Sequence, residues 1–405
     1  MRVLFVSNNF PTDLRVKIHG IYKRMGLFID AIKGLASIDF LYYVSPSFDI
    51  SQANVAKLEQ EFAQHWQADI TLTLCHRSTR KHQFLRRPNY LPGALNFFEQ
   101  KPYISLSGKR QVAALEDCLD RKPDAIFAHR LQAMCPLMLA KAKLPPIFFD
   151  LDDIEHISLD RQLKQPAPYR KKDRSYHLYL PSLRHAELKA IRKAQKTFIC
   201  SEQDRTYLAE QLKLPGIVTI PNAITMPMPH PLTNAPTLLF IGSYTYQPNV
   251  TAAEFLIEQV WPHVHQVMPE SKLIIAGAHP ESIRGHQIPP PGVEFTGFVE
   301  NLDELYQKVR VVCCPILSGS GTRVKLIEAA AYRKPIVSTR IGAEGLDLVD
   351  GEAIFLRDHA KTFADACIEL LQNDQLCQRL GNAAYTVASK RYDRAQILQQ
   401  IQHHL

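Results

Sequence analysis

A chain of 405 residues is long enough for two domains, each with its own core. Its 46% hydrophobic and 22% charged residues are those of an ordinary soluble globular protein, and no window approaches ~18 consecutive apolar residues, so no transmembrane helix is expected. The net charge of +8 points to nucleic acid, an anionic membrane surface or an anionic substrate; with no recognisable nucleic-acid-binding motif beside it, nucleic acid is set aside.

The run Arg2 to Ser7 predicts a buried first strand. It is too short for a signal peptide, because Ser7, Asn8 and Asn9 end it. The loop at its carboxyl end, Asn8 to Asp13, stands where ligands sit in an open parallel sheet. A helix follows from about Lys17 to Leu35, a strand from Ile38 to Val44, and a helix from Val55 to His65. Pro88, Pro92 and Pro102 break the stretch from Leu72 to about Lys109, which reads as an insertion or a long loop. Asp124 to His129 is a strand that ends in a histidine. Pro146 to Asp153 is another, ending in Asp150, Asp152 and Asp153. Lys196 to Ser201 and Val218 to Ala223 complete the strands of the first half. Met226 to Pro231, proline-dense and aperiodic, reads as a linker.

The basic excess is uneven. One cluster holds Arg170, Lys171, Lys172, Arg174, Arg184, Lys189, Arg192, Lys193 and Lys196 against Asp173 and Glu187; a second holds Arg77, Arg80, Lys81, Arg86 and Arg87. Such clusters serve as solvated helix faces or as contacts with an anionic membrane surface. The eight cysteines are scattered without a C-x-x-C pair or a matching histidine spacing, which predicts a reduced, cytoplasmic compartment and no zinc site.

The second half restarts the alternating pattern. Thr237 to Ile241 is a strand, Gly242 to Asn249 its loop, and Val250 to Val267 a helix that contains Trp261 and Pro262. Lys272 to Gly277 is the next strand, and Val293 to Val299 a strand with a turn glycine at Gly297. Val309 to Cys314, the tight turn Ser318 to Thr322, a helix from Val324 to Tyr332 and the strand Pro335 to Thr339 make one βαβ unit. Its glycine turn leaves unpaired N–H groups at a helix start, a ready anion site. Lys325, Glu328 and Tyr332 share one helix face, and Val324, Ile327 and Ala331 another. The expected arrangement buries the apolar face and presents a cation, then a carboxylate, beside the turn. A nucleoside diphosphate needs that set: N–H groups and a cation for the phosphates, a carboxylate for the ribose hydroxyls. The plainer alternative is an N-cap by Ser320 or Thr322 with a weak Lys325–Glu328 ion pair. Ile354 to Leu356 is the last strand, followed by helices over 362–373 and 374–391 and a polar tail helix from Arg394 to His403.

The run Gly319-Ser320-Gly321-Thr322-Arg323-Val324-Lys325-Leu326-Ile327-Glu328-Ala329-Ala330-Ala331, with Lys334-Pro335-Ile336-Val337-Ser338-Thr339 and Gly342-Ala343-Glu344-Gly345-Leu346, closely resembles the donor-site signature of family 4 glycosyltransferases. These are retaining, nucleotide-sugar-dependent enzymes of the GT-B fold. The resemblance implies an α/β architecture of two Rossmann-like domains with parallel sheets facing a cleft. Residues 1–225 would form the acceptor domain, 226–385 the nucleotide-sugar domain, and 386–405 a helix that packs back on the first. It implies transfer of a sugar from a nucleoside-diphosphate sugar to a glycan or lipid-linked acceptor, in bacterial surface polysaccharide or glycolipid biosynthesis. A cytoplasmic enzyme with peripheral contact to the anionic inner face of the plasma membrane fits that role. Neither a metal nor a cofactor is implied, since the nucleotide-sugar is a substrate.

Carried over residue by residue, the resemblance places the donor on Gly242 and Ser243, on Gly297, Phe298 and Val299, whose backbone would cradle the base, and on Ser320, Gly321, Thr322, Arg323, Lys325 and Glu328. Arg323, Lys325 and the turn would stabilise the departing diphosphate, and Glu328 would fix the ribose. His129 would contact the donor sugar, making His129, Lys325 and Glu328 the catalytic set. Val218 to Ala223 is similar to the family's IPN strand, and the Leu72 to Lys109 stretch would touch the acceptor. The chain also departs from the pattern. The loop Asn8 to Asp13 lacks the usual glycine pair. The basic pair usual in or after the Gly242 to Asn249 loop is absent, with Arg323 and Lys325 in its stead, as in a subgroup with GxGTRxK. Ser320 replaces the first of two glutamates that would touch the sugar. Asp150-Leu151-Asp152 spells the D-x-D by which the GT-A fold holds a divalent metal. That tripeptide is frequent by chance and the C-terminal signature belongs to GT-B enzymes, so no metal is assigned and Asp153 is read as a polar contact. Two other readings stay open: a GT-B nucleotide-sugar epimerase, and a degenerate, non-catalytic nucleotide-binding scaffold.

Overall fold

The structure is a computed structural model that describes residues 1–11, 14, 20–77, 104, 107–164, 174–228 and 230–405. Most of the stretch read as an insertion, with Arg80, Lys81, Arg86 and Arg87, lies outside the described residues, as do Arg170, Lys171 and Lys172. The chain divides into two compact units. Unit 1 comprises the described residues of Met1–Leu163 and Lys172–Ile220 together with Ile397–Leu405; unit 2 comprises Lys164 and the described residues of Pro221–Gln396.

Unit 1 is built on seven strands: β1 (Arg2–Ser7), β2 (Ser37–Val44), β3 (Ile70–His76), β4 (Ala125–His129), β5 (Ile147–Asp152), β6 (Lys196–Ile199) and β7 (Ile217–Thr219). All pair in parallel, in the order β3-β2-β1-β4-β5-β6-β7. A parallel sheet is covered on both faces, which is why β1 reads as an unbroken apolar run from Val3 to Val6 and is buried from Val3 to Ser7. The order reverses between β1 and β4, where Ser7 pairs with His129 at the carboxyl ends. A crevice opens at such a switch point. The first helix is described over Gly20–Lys33; Lys17, where the sequence pattern starts it, lies outside the described residues. The last helix, Arg394–His404, buries Ile397 and Ile401; in unit 1, Gln402 Nε2 donates to Ala31 O at 3.3 Å and Lys196 Nζ to His404 O at 2.6 Å.

Unit 2 has six parallel strands: β8 (Thr237–Ile241), β9 (Lys272–Ala276), β10 (Val293–Gly297), β11 (Val311–Cys314), β12 (Ile336–Ser338) and β13 (Phe355–Leu356), in the order β10-β9-β8-β11-β12-β13. Its switch point lies between β8 and β11. The segment expected as one helix over 250–267 is two, Gln247–Phe255 and Trp261–Val267, joined by a wider turn over Leu256–Val260. Pro262 has no N–H to donate, so the regular ladder cannot run through it, and a π-type turn absorbs the defect. All eight cysteines are free and buried. Among the described residues no helix is long and apolar enough to cross a membrane.

Candidate functional site

Two loops meet at the switch point of the second sheet, one after β8 and one after β11. Asn249, in the first turn of the helix Gln247–Phe255, ties them together. Its Nδ2 donates to Ser243 O at 2.9 Å and its Oδ1 accepts from Lys325 Nζ at 2.9 Å. The Lys325 ammonium also lies 4.4 Å from the centre of the Phe240 ring. Among the described residues no carboxylate forms an ion pair with it. Burial is the main cause that lowers the Lys325 amine to about 8.

The glycine turn is organised around Arg323. This residue sits at the N-cap of the helix Val324–Ala331, and its own side chain does not cap the helix start. The guanidinium folds back into the turn, where Nη1 donates to the carbonyls of Ser320 and Gly321. Arg323 is only 9% exposed, and its Nε and Nη2 are buried without a hydrogen-bond partner. Buried guanidinium N–H groups left unpaired are costly, so these nitrogens are strong donors toward an anion. Two glycines lie against these cations with no room for a side chain. A Cβ at Gly319, where φ is +117°, would stand 3.0 Å from Arg323 Nη2 and 3.1 Å from Tyr246 Oη; one at Gly242 would stand 2.7 Å from Asn249 Nδ2 and 2.9 Å from Lys325 Nζ. A helix N-terminus, two cations and closely approaching backbone suit a polyanionic ligand.

The remaining residues singled out by the sequence spread from this centre. Ser243 Oγ pairs with Thr245 Oγ1 at 2.9 Å. Gly242 N–H donates to Ala276 O at 3.0 Å, and Gly277 N–H to Gly297 O at 2.7 Å, so bare backbone runs along the ends of β8, β9 and β10. Phe298 follows at 44% exposure, while Val299 packs partly against the core. Thr322 Oγ1 accepts from the buried Asn222 Nδ2 at 2.9 Å. Glu328 does not stand on an open polar face as the periodicity led one to expect. It is 6% exposed, and Tyr332, just past the helix end, stacks on the buried Tyr306 with centroids 4.3 Å apart. An eight-residue helix wedged behind a parallel sheet is enclosed on nearly every side, so its polar face is buried too.

Unit 1 holds His129, fully buried at its own switch point. Its Nδ1 lies 3.0 Å from Ser7 Oγ, which accepts the Asn9 N–H at 3.0 Å; its Nε2 has no hydrogen-bond partner and is 3.9 Å from Asp150 Oδ2. Two tautomers fit this contact: the Ser7 hydroxyl donates to Nδ1 with the ring proton on Nε2, or Nδ1–H donates to Ser7 Oγ. Burial, then Arg130 and Arg24, hold the imidazole well below its usual pKa, so it is neutral at pH 7. Asp150 is engaged by Arg24 at 2.8 Å with both side chains fully buried, and Arg24 Nη1 donates to Ile220 O at 2.8 Å. Burial raises the Asp150 carboxyl, to about 6, against the pull of Arg24. Arg24 also lies 3.3 Å from Asp152, while Arg130 reaches Asp152 at 3.0 Å and hydrogen-bonds Asp153. The tripeptide that spells D-x-D thus faces two arginines. Arg130 (φ 72°, ψ 157°) and Asp152 (φ 67°) hold backbone conformations costly for side-chain-bearing residues, and the register slips between Asp150 and Asp152.

Asn249, Asn222, Ser7, Arg24 and Arg130 are polar partners that sequence reasoning did not single out. A lone asparagine carries no pattern, and Arg24 and Asp150 are too far apart in sequence for any spacing rule to join them.

Residues 235–373, which include the whole glycine turn, match the family described as glycosyl transferases group 1. Over 99% of its length the chain superposes on 98% of Anabaena HepE, solved in complex with UDP and glucose, with a TM-score of 0.63 at 15% identity. The fold is GT-B. In sequence, the chain is 25% identical over 173 residues to an uncharacterized 44.6 kDa protein in the cps region of Klebsiella pneumoniae, covering 40% of this chain and 44% of that protein. It is 28% identical over 200 residues to the phosphatidyl-myo-inositol mannosyltransferase of Mycobacterium leprae, covering 45% of this chain and 52% of that protein. The chain thus spans about half the length of these curated relatives.

Proposed function

We propose that this GT-B chain is a retaining glycosyltransferase that moves a sugar from a nucleoside diphosphate to a glycan or lipid-linked acceptor in the assembly of a bacterial surface polysaccharide or glycolipid. The observation that carries the reading is the pair of cations at one helix start: Arg323, whose Nε and Nη2 are buried without a hydrogen-bond partner, and Lys325, each lying against a glycine that has no room for a Cβ. The group 1 match across this turn, the UDP and glucose of the HepE complex, and the cps-region relative support it.

The barrier in glycosyl transfer is departure of the diphosphate, with positive charge growing on the sugar and negative charge on the phosphate. Donors already aimed at that phosphate lower the barrier without reorganising. Arg323 Nε and Nη2 and the Lys325 ammonium are donors of this kind. Gly321 and the turn bring the backbone close, Glu328 fixes the ribose, and the bare strand ends up to Gly297 and Phe298 receive the base. His129 is assigned the contact with the donor sugar. The donor site is read as metal-independent: the aspartates at 150 and 152 have arginines as counter-ions already, and the diphosphate has Arg323 and Lys325. Exposed Arg184, Arg192 and Lys193 on the helix Leu180–Lys193 are the face assigned to an anionic membrane surface.

The test is thermal stability against a panel of nucleoside diphosphates, with and without magnesium. A ligand at a hundredfold its dissociation constant adds about 2.7 kcal/mol. A shift selective for one base without magnesium is expected. No shift with any nucleotide overturns the reading in favour of a degenerate scaffold. A changed sugar nucleotide released without acceptor makes the protein an epimerase instead.

A further inference from the structure

Two of the points at which the chain passes between its units are Ile220–Pro221 and Gln396–Ile397. Inside unit 2 both crossings are tied to the loops around the glycine turn. Ile224 forms a parallel bridge with Asp393: its N–H donates to Tyr392 O at 2.9 Å and its carbonyl accepts from Arg394 N–H at 3.0 Å. Tyr392 Oη accepts the N–H of Asp347, which follows the Gly342 to Leu346 loop, at 3.0 Å. Asn222, the second residue past the first crossing, is 6% exposed and donates to Thr322 Oγ1 at 2.9 Å. Thr322 stands between Gly321 and Arg323, next to the guanidinium with two free N–H groups.

From this arrangement we infer that Asn222 is a positioning residue for the donor turn. It fixes Thr322, and through the adjoining backbone it fixes the direction of the Arg323 guanidinium. The inference rests on the reading of the turn as a diphosphate site. Its physical basis is the composition of the turn. Gly319 and Gly321 both have positive φ, at 117° and 74°, and glycine brings no stiffness of its own. A turn of this kind is ordered by anchors outside it or by its ligand, and ordering by the ligand weakens binding. Arg323 Nη1 is one anchor, from within the turn, and Asn222 is another, from the crossing segment. Both ends of the Asn222–Thr322 bond are buried, where a lost hydrogen bond is not made good by bulk solvent.

The experiment measures binding of the panel's best nucleoside diphosphate, and of inorganic pyrophosphate as a probe without a base, to the full chain and to Asn222→Ala, Thr322→Val, the double variant and Thr322→Ser. About tenfold weaker binding is expected for each of the first two, with no further loss in the double variant, because both remove one bond. Thr322→Ser keeps the oxygen that accepts from Asn222 and loses less binding than Thr322→Val. In turnover the donor KM rises while the acceptor KM holds, a split that general loosening of the fold does not produce. Lys325→Ala separates the two readings. If Lys325→Ala weakens binding and Asn222→Ala and Thr322→Val do not, or if their losses add, the inference on Asn222 is overturned and the donor site stands. If Lys325→Ala is also silent, the donor site itself fails. Should Asn222→Ala not fold, the Thr322→Val and Thr322→Ser pair carries the test.

Discussion

The two sheets put charged side chains at the same topological place, the carboxyl ends of the strands where the order reverses, and use them in opposite ways. At the end of the first sheet Arg24, Asp150, Asp152, Arg130 and Asp153 answer one another's charge. At the end of the second, Arg323 spends one nitrogen on its own turn and keeps two unpaired, while Lys325 has a neutral amide and a ring for company. A closed cluster contributes order to its own unit; its charges are neutralised and a polyanion gains little there. An open cluster is a standing cost that a ligand removes, which makes it the place to look for binding. Charge alone does not mark a site; unanswered charge does.

The sharpest way to break this contrast is to unpair each cluster and ask which property fails. Asp150→Asn leaves Arg24 fully buried without its main counter-ion, and loss of one partner of a buried pair costs about 3–5 kcal/mol. Urea unfolding should show that loss in the unit 1 transition; unchanged stability would mean the cluster does not hold unit 1 together. Lys325→Ala should leave folding intact and lower turnover by about 10²–10³, the usual cost of removing a donor aimed at the charge of a transition state. Glu328→Ala should weaken donor binding as well as turnover. Full activity in both variants would remove the catalytic assignment of this helix. Gly319→Ala is the finer probe, because it alters no charge. Its methyl would stand 3.0 Å from the free Arg323 Nη2 in a strained backbone, and about tenfold weaker nucleotide binding is expected. Binding equal to the parent's would show that the anion does not sit beside Gly319.

Much of this architecture could be read from residues alone. Buried parallel strands are near-continuous apolar runs, so Val3 to Val6, Thr237 to Ile241 and Val311 to Cys314 declare themselves. A turn as rich in glycine as Ser318 to Thr322 between strand and helix has few other uses. What stayed hidden is whatever depends on a partner far away in the sequence. Nothing near Asp150 hints that Arg24 neutralises it, which is why the tripeptide looks like half a metal site. Nothing near Glu328 hints that Tyr306 and Tyr332 wall it in, so periodicity alone put it on an open face. The asparagines at 222 and 249 make single, long-range hydrogen bonds, and a single side-chain bond leaves no periodic trace. His129 was legible as a strand-end histidine, but its depth and its orientation toward Ser7 and Asp150 were not.

The smallest effect follows from the Lys325 amine, which burial lowers to about 8. A bound diphosphate favours the protonated form, so below pH 8 the affinity should not depend on this group. Above pH 8 the free protein has lost the proton and must regain it on binding. Affinity should then fall by up to about tenfold per pH unit until the pKa of the bound state is reached. Calorimetric titration between pH 7 and 9.5 would show the break, and Lys325→Arg should abolish it, because a guanidinium stays protonated throughout. Binding is the right readout, and melting temperature is not. Lys334 is also lowered to about 8 by burial, so the unfolded chain binds more protons there and this group adds stability as pH rises. Buried thiols such as Cys135 and Cys377 are raised by burial and pull stability the other way over the same range. Those groups enter the folding balance but not the contact with an anion at the turn. An affinity that is flat through pH 9.5 would mean that the Lys325 ammonium is not part of the anion site, and the contrast between an open and a closed cluster would then rest on Arg323 alone.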